Sequence, residues 1–262
     1  MNDKTGSEPA MAQLHITDLP LEEPYGWKAR IGLIALSTDP VIERDFHVLT
    51  PSDEVGVFTT RIYLERPNSD RTFLALAEEI APAVRLLIPD TNLDVIVFGC
   101  TSASTLIGPG KIKDLVQAGR PGVAVTNPAT ATLTALRKLD VRRVALITPY
   151  TLQMTANVMH FLTADGLEMT SVRAAGYDTD HAIGSLPAGF FVEAARASRL
   201  EGADAIFISC TGTKALNVID EIEAAAGLPV VVSNQATFWH ALHLTGWSAP
   251  IGGYGRLLRE EW

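Results

Sequence analysis

Short apolar runs and amphipathic stretches alternate along most of the chain. The runs Arg30–Leu36, Val55–Ile62, Leu93–Gly99, Val123–Val125, Val144–Thr148, Ala205–Ser209 and Val230–Val232 read as strands. Ser69–Leu87, Ala129–Lys138, Leu152–Asp165, Gly189–Leu200, Lys214–Ala226 and Gln235–Leu244 carry helical spacing. Gly166, Gly202 and Gly227 each follow a helical stretch, where a left-handed residue closes a helix. Strand and helix signals in alternation predict an α/β fold of parallel sheets with crossover helices. Residues 1–27 are polar, contain proline and lack periodicity, and are expected to form a flexible N-terminal tail.

The pattern repeats itself. Arg30-Ile31-Gly32-Leu33-Ile34 resembles Arg143-Val144-Ala145-Leu146-Ile147, and the run from Leu93 to Thr101 resembles the run from Ala203 to Thr211. Val125-Thr126-Asn127-Pro128-Ala129-Thr130 resembles Val232-Ser233-Asn234-Gln235-Ala236-Thr237. The three offsets are 113, 110 and 107 residues, in the same order along the chain. Such a repeat predicts two similar α/β halves related by a pseudo-twofold axis, and its period is too long for a solenoid. The halves are expected at residues 28–126 and 127–235, with the C-terminal segment 236–262 packing back on the first.

Composition narrows the function. The 262 residues carry a formal net charge of −9, which argues against nucleic acid as a partner. No Lys or Arg block suits an anionic membrane surface, and no run of apolar residues is long enough to span a bilayer. The first 29 residues lack a basic start followed by an apolar core, so no secretory signal is expected and a cytoplasmic location is. Two cysteines do not make a disulfide framework.

Those two cysteines, Cys100 and Cys210, fall at the same place in the two repeats. Each is expected to end a buried strand and open a Thr-containing turn. Ligands of open α/β sheets bind at the carboxyl ends of the strands, so facing halves would bring both sulfurs to one cleft. Two-base isomerisation needs such a pair, one group acting on each face of a carbon. The residues Thr101-Ser102-Ala103-Ser104 and Thr211-Gly212-Thr213 are small and hydroxyl-rich. Their backbone N–H groups can approach a carboxylate and favour thiolate over thiol. The plain alternative is that each cysteine is a small core residue. Zinc is not expected, because no further ligand lies in pattern.

At these residues the chain resembles the aspartate/glutamate racemase superfamily. The branch holding maleate cis–trans isomerase and arylmalonate decarboxylase is nearest. Ile34-Ala35-Leu36-Ser37-Thr38-Asp39, Phe98-Gly99-Cys100-Thr101-Ser102-Ala103-Ser104, Thr148-Pro149-Tyr150, Ser209-Cys210-Thr211, Ser233-Asn234-Gln235-Ala236 and Gly253-Tyr254-Gly255-Arg256-Leu257 look most like the EutA group of ectoine-utilisation proteins. The resemblance implies two facing flavodoxin-like, doubly wound parallel-sheet domains with one active site between them. It implies Cys100 and Cys210 as paired catalytic thiols, and Thr101, Ser102, Thr211 and Gly212 as holders of a substrate carboxylate. Tyr150 would donate a hydrogen bond to that carboxylate. No cofactor or metal is implied. In the decarboxylase a glycine replaces the first cysteine, so Cys100 argues against simple decarboxylation.

Two positions depart from the maleate isomerase pattern, where asparagine contacts the substrate: Asp39 and Asp180. Carboxylates there would repel a dicarboxylate and suit an ammonium or amidine-like group. Asp39 before Pro40 equally suits a helix cap. The expected activity is therefore racemisation or epimerisation of an amino or amido acid, of the ectoine-catabolism type. Maleate cis–trans isomerisation is the alternative, and an arylmalonate-type decarboxylase or a non-catalytic small-molecule binder stands behind it. The expected partners are a small carboxylate substrate and a second copy of the chain. Asn127 and Asn234 read either as cleft residues or as helix caps. His240 and His243 share a helix face without further ligands, His181 stands beside Asp180, and Gly108-Pro109-Gly110 reads as a turn. Phe238, Trp239 and Trp247 read as core or subunit-contact residues, and Arg61 and Arg66 carry no assigned role.

Overall fold

The computed structural model describes residues 20–260. Residues 1–19 of the expected tail lie outside them; residues 20–25 are exposed and carry no helix or strand. Gly26 is tied down by a hydrogen bond from its N–H to the Asp53 carbonyl.

The two halves build two four-stranded, all-parallel sheets. The first has strands β1 (Ala29–Leu36), β2 (Val55–Ile62), β3 (Val95–Gly99) and β4 (Ala124–Thr126) in the order β2-β1-β3-β4. The second has β5 (Arg143–Tyr150), β6 (Glu168–Tyr177), β7 (Ala205–Ile208) and β8 (Val230–Val232) in the order β6-β5-β7-β8. The same topology twice is the architectural form of the sequence repeat. Strands β3 and β7 are buried along their whole length and so read as unbroken apolar runs, as expected for central strands covered on both faces.

Several boundaries differ from the sequence expectation. Strand β6 has no clear apolar signal because it is an edge strand with mixed burial. The stretch Ser69–Leu87 is two helices, α2 (Asp70–Ala75) and α3 (Ala77–Val84), and Pro82 lies inside the second. Lys214–Ala226 divides into a 3-10 helix at Lys214–Val218 and a later α-helix at Ile219–Ala226. Gly108 separates two helices rather than making a free turn: Thr101–Ile107 ends there and Pro109–Gly119 starts there, with proline in its first turn. Gly166, Gly202 and Gly227 all have positive φ, but only Gly166 and Gly227 close a helix; the helix before Gly202 ends at Arg196, and Gly202 lies in a later turn.

The helices after the last strand of each sheet tie the halves together. The helix Pro128–Lys138 follows β4 yet touches β8, and Ser233–Leu244 follows β8 yet packs on β1, β3 and β4. Phe238 on that last helix meets Phe46 of the helix Ile42–Leu49 edge-on, with ring centroids 5.3 Å apart. Both rings are fully buried; such a pair adds about 0.5–1.5 kcal/mol beyond its area. Phe238 and Trp239 are thus core residues within one chain. Among the described residues no helix is long and apolar enough to cross a membrane.

Candidate active site

Strand order reverses between β1 and β3 in one sheet and between β5 and β7 in the other. Crevices open at such switch points, beyond the carboxyl ends of the strands. Asp39 follows β1, Cys100 follows β3, Tyr150 ends β5 and Cys210 follows β7 with Ser209 between. The repeat therefore sets four chemically capable side chains at corresponding strand ends.

The two cysteines are held differently. Cys100 is the N-cap of the helix Thr101–Ile107, and its sulfur accepts the Ala103 N–H at 3.4 Å. Cys210 opens no regular α-helix. Its φ of 134° lies in the region that favours glycine, and its sulfur accepts the Gly212 N–H at 3.3 Å. A strained residue is kept only where its surroundings over-determine it. Here the Ser233 hydroxyl oxygen accepts the Cys210 N–H at 3.0 Å, and the Thr213 hydroxyl donates to the Cys210 carbonyl at 3.3 Å. The same Ser233 oxygen accepts the Thr101 hydroxyl at 3.1 Å. One serine thus links the two cysteine loops.

Tyr150 is buried, and its hydroxyl lies beside the Cys210 thiol and Ser102, which both act on its ionisation. Asp39 accepts the N–H groups of Val41 at 2.8 Å and Ile42 at 3.0 Å, and lies beside the Thr211 side chain from the other half. It caps the helix Ile42–Leu49 and lies near the thiols at once, so the capping reading of this residue holds. Asp180 is bonded by the Thr38 hydroxyl and by the Asn68 amide at 2.9 Å, across the halves. Both thiols feel the charges of Asp39 and Asp180, and Cys100 also feels Cys210. The structure therefore brings Cys100, Cys210, Tyr150, Asp39, Asp180, Thr101, Ser102, Thr211 and Gly212 into one cluster. Asn127 stands apart as a helix cap, its side-chain oxygen accepting the Thr130 N–H at 3.0 Å. His240 is bonded to Thr126, not to a metal or a thiol.

The expected open cleft is closed. Cys100 is 5 % and Cys210 6 % exposed. The rim is drawn shut by bonds between the halves, among them the Asn68 N–H to the Asp178 carbonyl and the Asn157 amide to Asp70 at 2.8 Å. Closure reverses one expectation about charge. Burial, the largest effect, raises the pKa of both thiols, and the neighbouring carboxyls add to it; the N–H groups of Ala103 and Gly212 and the Tyr150 hydroxyl only partly offset this. Both thiols are thus harder to ionise than a free cysteine. Burial also raises Asp39, despite the two backbone N–H groups that bond to it.

The description "Arylmalonate decarboxylase" belongs to the protein family matched by residues 67–258. The chain belongs to this arylmalonate decarboxylase family. A maleate isomerase of Nocardia farcinica is 28% identical over 243 residues, 88% of this chain and 96% of the relative. An arylmalonate decarboxylase of Bordetella bronchiseptica is 37% identical over 143 residues, 53% of this chain and 60% of the relative. The solved Nocardia farcinica maleate cis–trans isomerase, a serine-for-cysteine mutant with a covalently bound succinylcysteine intermediate, superposes with a TM-score of 0.82 at 26% identity. That alignment covers 89% of this chain and 99% of the other. Isomerase relatives run the length of the fold and support an enzyme of the isomerase class.

Three site residues carried no sequence signal of their role. Ser233 joins the cysteine loops, Asn68 holds Asp180, and Asp45 lies buried behind Asn234. The repeat flagged the Ser233-Asn234 pair but not its partners Thr101 and Asp45, which come from the other half of the chain.

Proposed function

We propose that the chain is a cofactor-independent isomerase in which Cys100 and Cys210 act from two sides of one small carboxylic acid, and that its reaction is cis–trans isomerisation of a maleate-type dicarboxylate. The observation that carries this reading is the single buried, polar-lined cluster that both thiols share with Tyr150. The maleate isomerases that match nearly the whole chain support it. In the proposed cycle Cys100 reacts as the thiolate, its sulfur adding to one alkene carbon as the π pair moves to the other. Cys210 delivers its proton to that second carbon, leaving a succinyl thioether with a freely rotating single bond. After rotation the Cys210 thiolate takes back a proton, the C–S bond breaks, and the trans acid leaves with no net change in atoms or electrons. The N–H groups and hydroxyls of the two loops hold the carboxylates. Incubation with maleate is expected to give fumarate without added cofactor and without carbon dioxide. No fumarate, or carbon dioxide release, would overturn the reading.

A second reading, racemisation or epimerisation of an amino or amido acid, is favoured by Asp39 and Asp180. Among the described residues neither makes an ion pair with Lys or Arg, whereas Asp45, Asp165, Asp204 and Asp220 each do. A substrate ammonium would neutralise them and lower both thiols at once. The readings separate at D39N. Asparagine keeps the size of Asp39 and an oxygen to cap the helix, so under the maleate reading turnover stays within about threefold of wild type; it cannot replace an Asp39 that grips an ammonium, and that activity falls by about 10²-fold. Deuterium wash-in at the α-carbon of candidate amino acids reads the second activity directly.

A further inference from the structure

Behind Cys210 lies a buried polar chain that the proposed chemistry leaves unused. Asp45, on the helix Ile42–Leu49, is fully buried, and one of its carboxylate oxygens accepts the Asn234 side-chain N–H at 2.9 Å. The same Asn234 nitrogen donates to the Thr211 carbonyl at 2.7 Å. Both neighbours are acceptors, so only the amide nitrogen of Asn234 can face them. Arg44 donates to the other oxygen of Asp45 at 2.9 Å and to Asn217 at 3.0 Å, on the 3-10 helix just past the Cys210 turn.

We infer that Asp45 is a positioning residue for the second thiol: through the Asn234 amide it fixes the Thr211 carbonyl, and with it the turn that presents Cys210. Thr211 is held by the first half of the chain at its carbonyl, by Asp45 through Asn234, and its side chain lies beside Asp39 of the same short segment. The Cys210 turn needs such anchors, because its positive φ is unfavourable for a residue with a Cβ and its sulfur relies on the Gly212 N–H one peptide beyond Thr211. The first repeat has no counterpart. Asn127, the partner of Asn234 in the repeat, turns its oxygen onto its own helix, and Cys100 sits in ordinary extended backbone. Nature of the support differs too: a carboxylate facing an amide whose other contact is a carbonyl fixes orientation in a way an apolar neighbour cannot.

The inference rests on Cys210 being a reacting thiol, but its test needs no substrate. Iodoacetamide labelling of the full chain, followed by mass mapping, gives the alkylation rate of Cys210 with Cys100 as the internal reference. In D45L, which removes the acceptor, the Cys210-to-Cys100 ratio is expected to shift by about fivefold or more, and in D45N, which keeps an acceptor oxygen for Asn234, to return to within about twofold of wild type. With whichever substrate turns over, kcat of D45L is expected to fall by about tenfold while KM stays within about twofold. Should D45L not fold, D45S, whose hydroxyl is too short to reach Asn234, takes its place. A wild-type ratio in the folded variant, or a D45N ratio no nearer wild type than that of D45L, would overturn the assignment.

Discussion

At the scale of single residues the two sulfurs carry the account. Serine in place of either is expected to lower isomerisation by about 10²-fold or more, since a hydroxyl neither adds to carbon nor exchanges a proton as a thiol does. Purified C100S and C210S assayed side by side check this, and full activity in both would end the two-thiol mechanism. These residues were legible from the sequence because each is marked by its own neighbours: Cys100-Thr101 and Cys210-Thr211 stand in register in the repeat. Asp45 and Asn68 were not. A polar residue shows its role through its partner, and these partners lie 189 and 112 positions away along the chain. Asp39 falls between the cases, since capping was readable from Pro40 while its contact with Thr211 was not.

At the scale of elements, the helix Ser233–Leu244 organises the site by its first turn. Replacing Ser233 with alanine leaves the buried Cys210 N–H unpaired and unlinks Thr101. A stability loss of about 1–3 kcal/mol is expected, and thermal or urea unfolding of S233A measures it; an unchanged midpoint would show that another group satisfies the N–H. Elements with one strong face were readable, and those shaped by tertiary position were not. Strand β6 is the instructive case. Its edge position gives it mixed burial and hence no apolar run, yet the 113-residue offset carried from Val55 lands on Glu168, where it begins. The helix opening at Thr101 has no apolar signal for a different reason: its buried side is made of Thr, Ser and Ala, which a hydrophobic pattern does not register.

At the scale of the whole molecule, each half closes the other. The helices after β4 and β8 cross over, and the rim bonds help keep the two thiols out of water. Enclosure of this kind has a signature in acid. Burial, with a smaller contribution from His243, lowers His240 from 6.5 to about 4. The unfolded chain therefore binds the extra proton first. The stability tied to a neutral His240 is fully present above pH 6.5 and is lost as pH falls towards 4, by on the order of 2–3 kcal/mol. H240Q lacks that proton and is expected to show a flatter acid limb in unfolding midpoints between pH 6.5 and 4; parallel limbs would contradict the assignment. The central claim is that both thiols address one small ligand space. A three-carbon bis-electrophile such as 1,3-dichloroacetone tests it most directly, with intact mass and peptide mapping as the readout. The account predicts one intramolecular bridge joining Cys100 to Cys210, formed with loss of activity and suppressed by a bound substrate. Separate single adducts on the two cysteines, with no bridge, would contradict it.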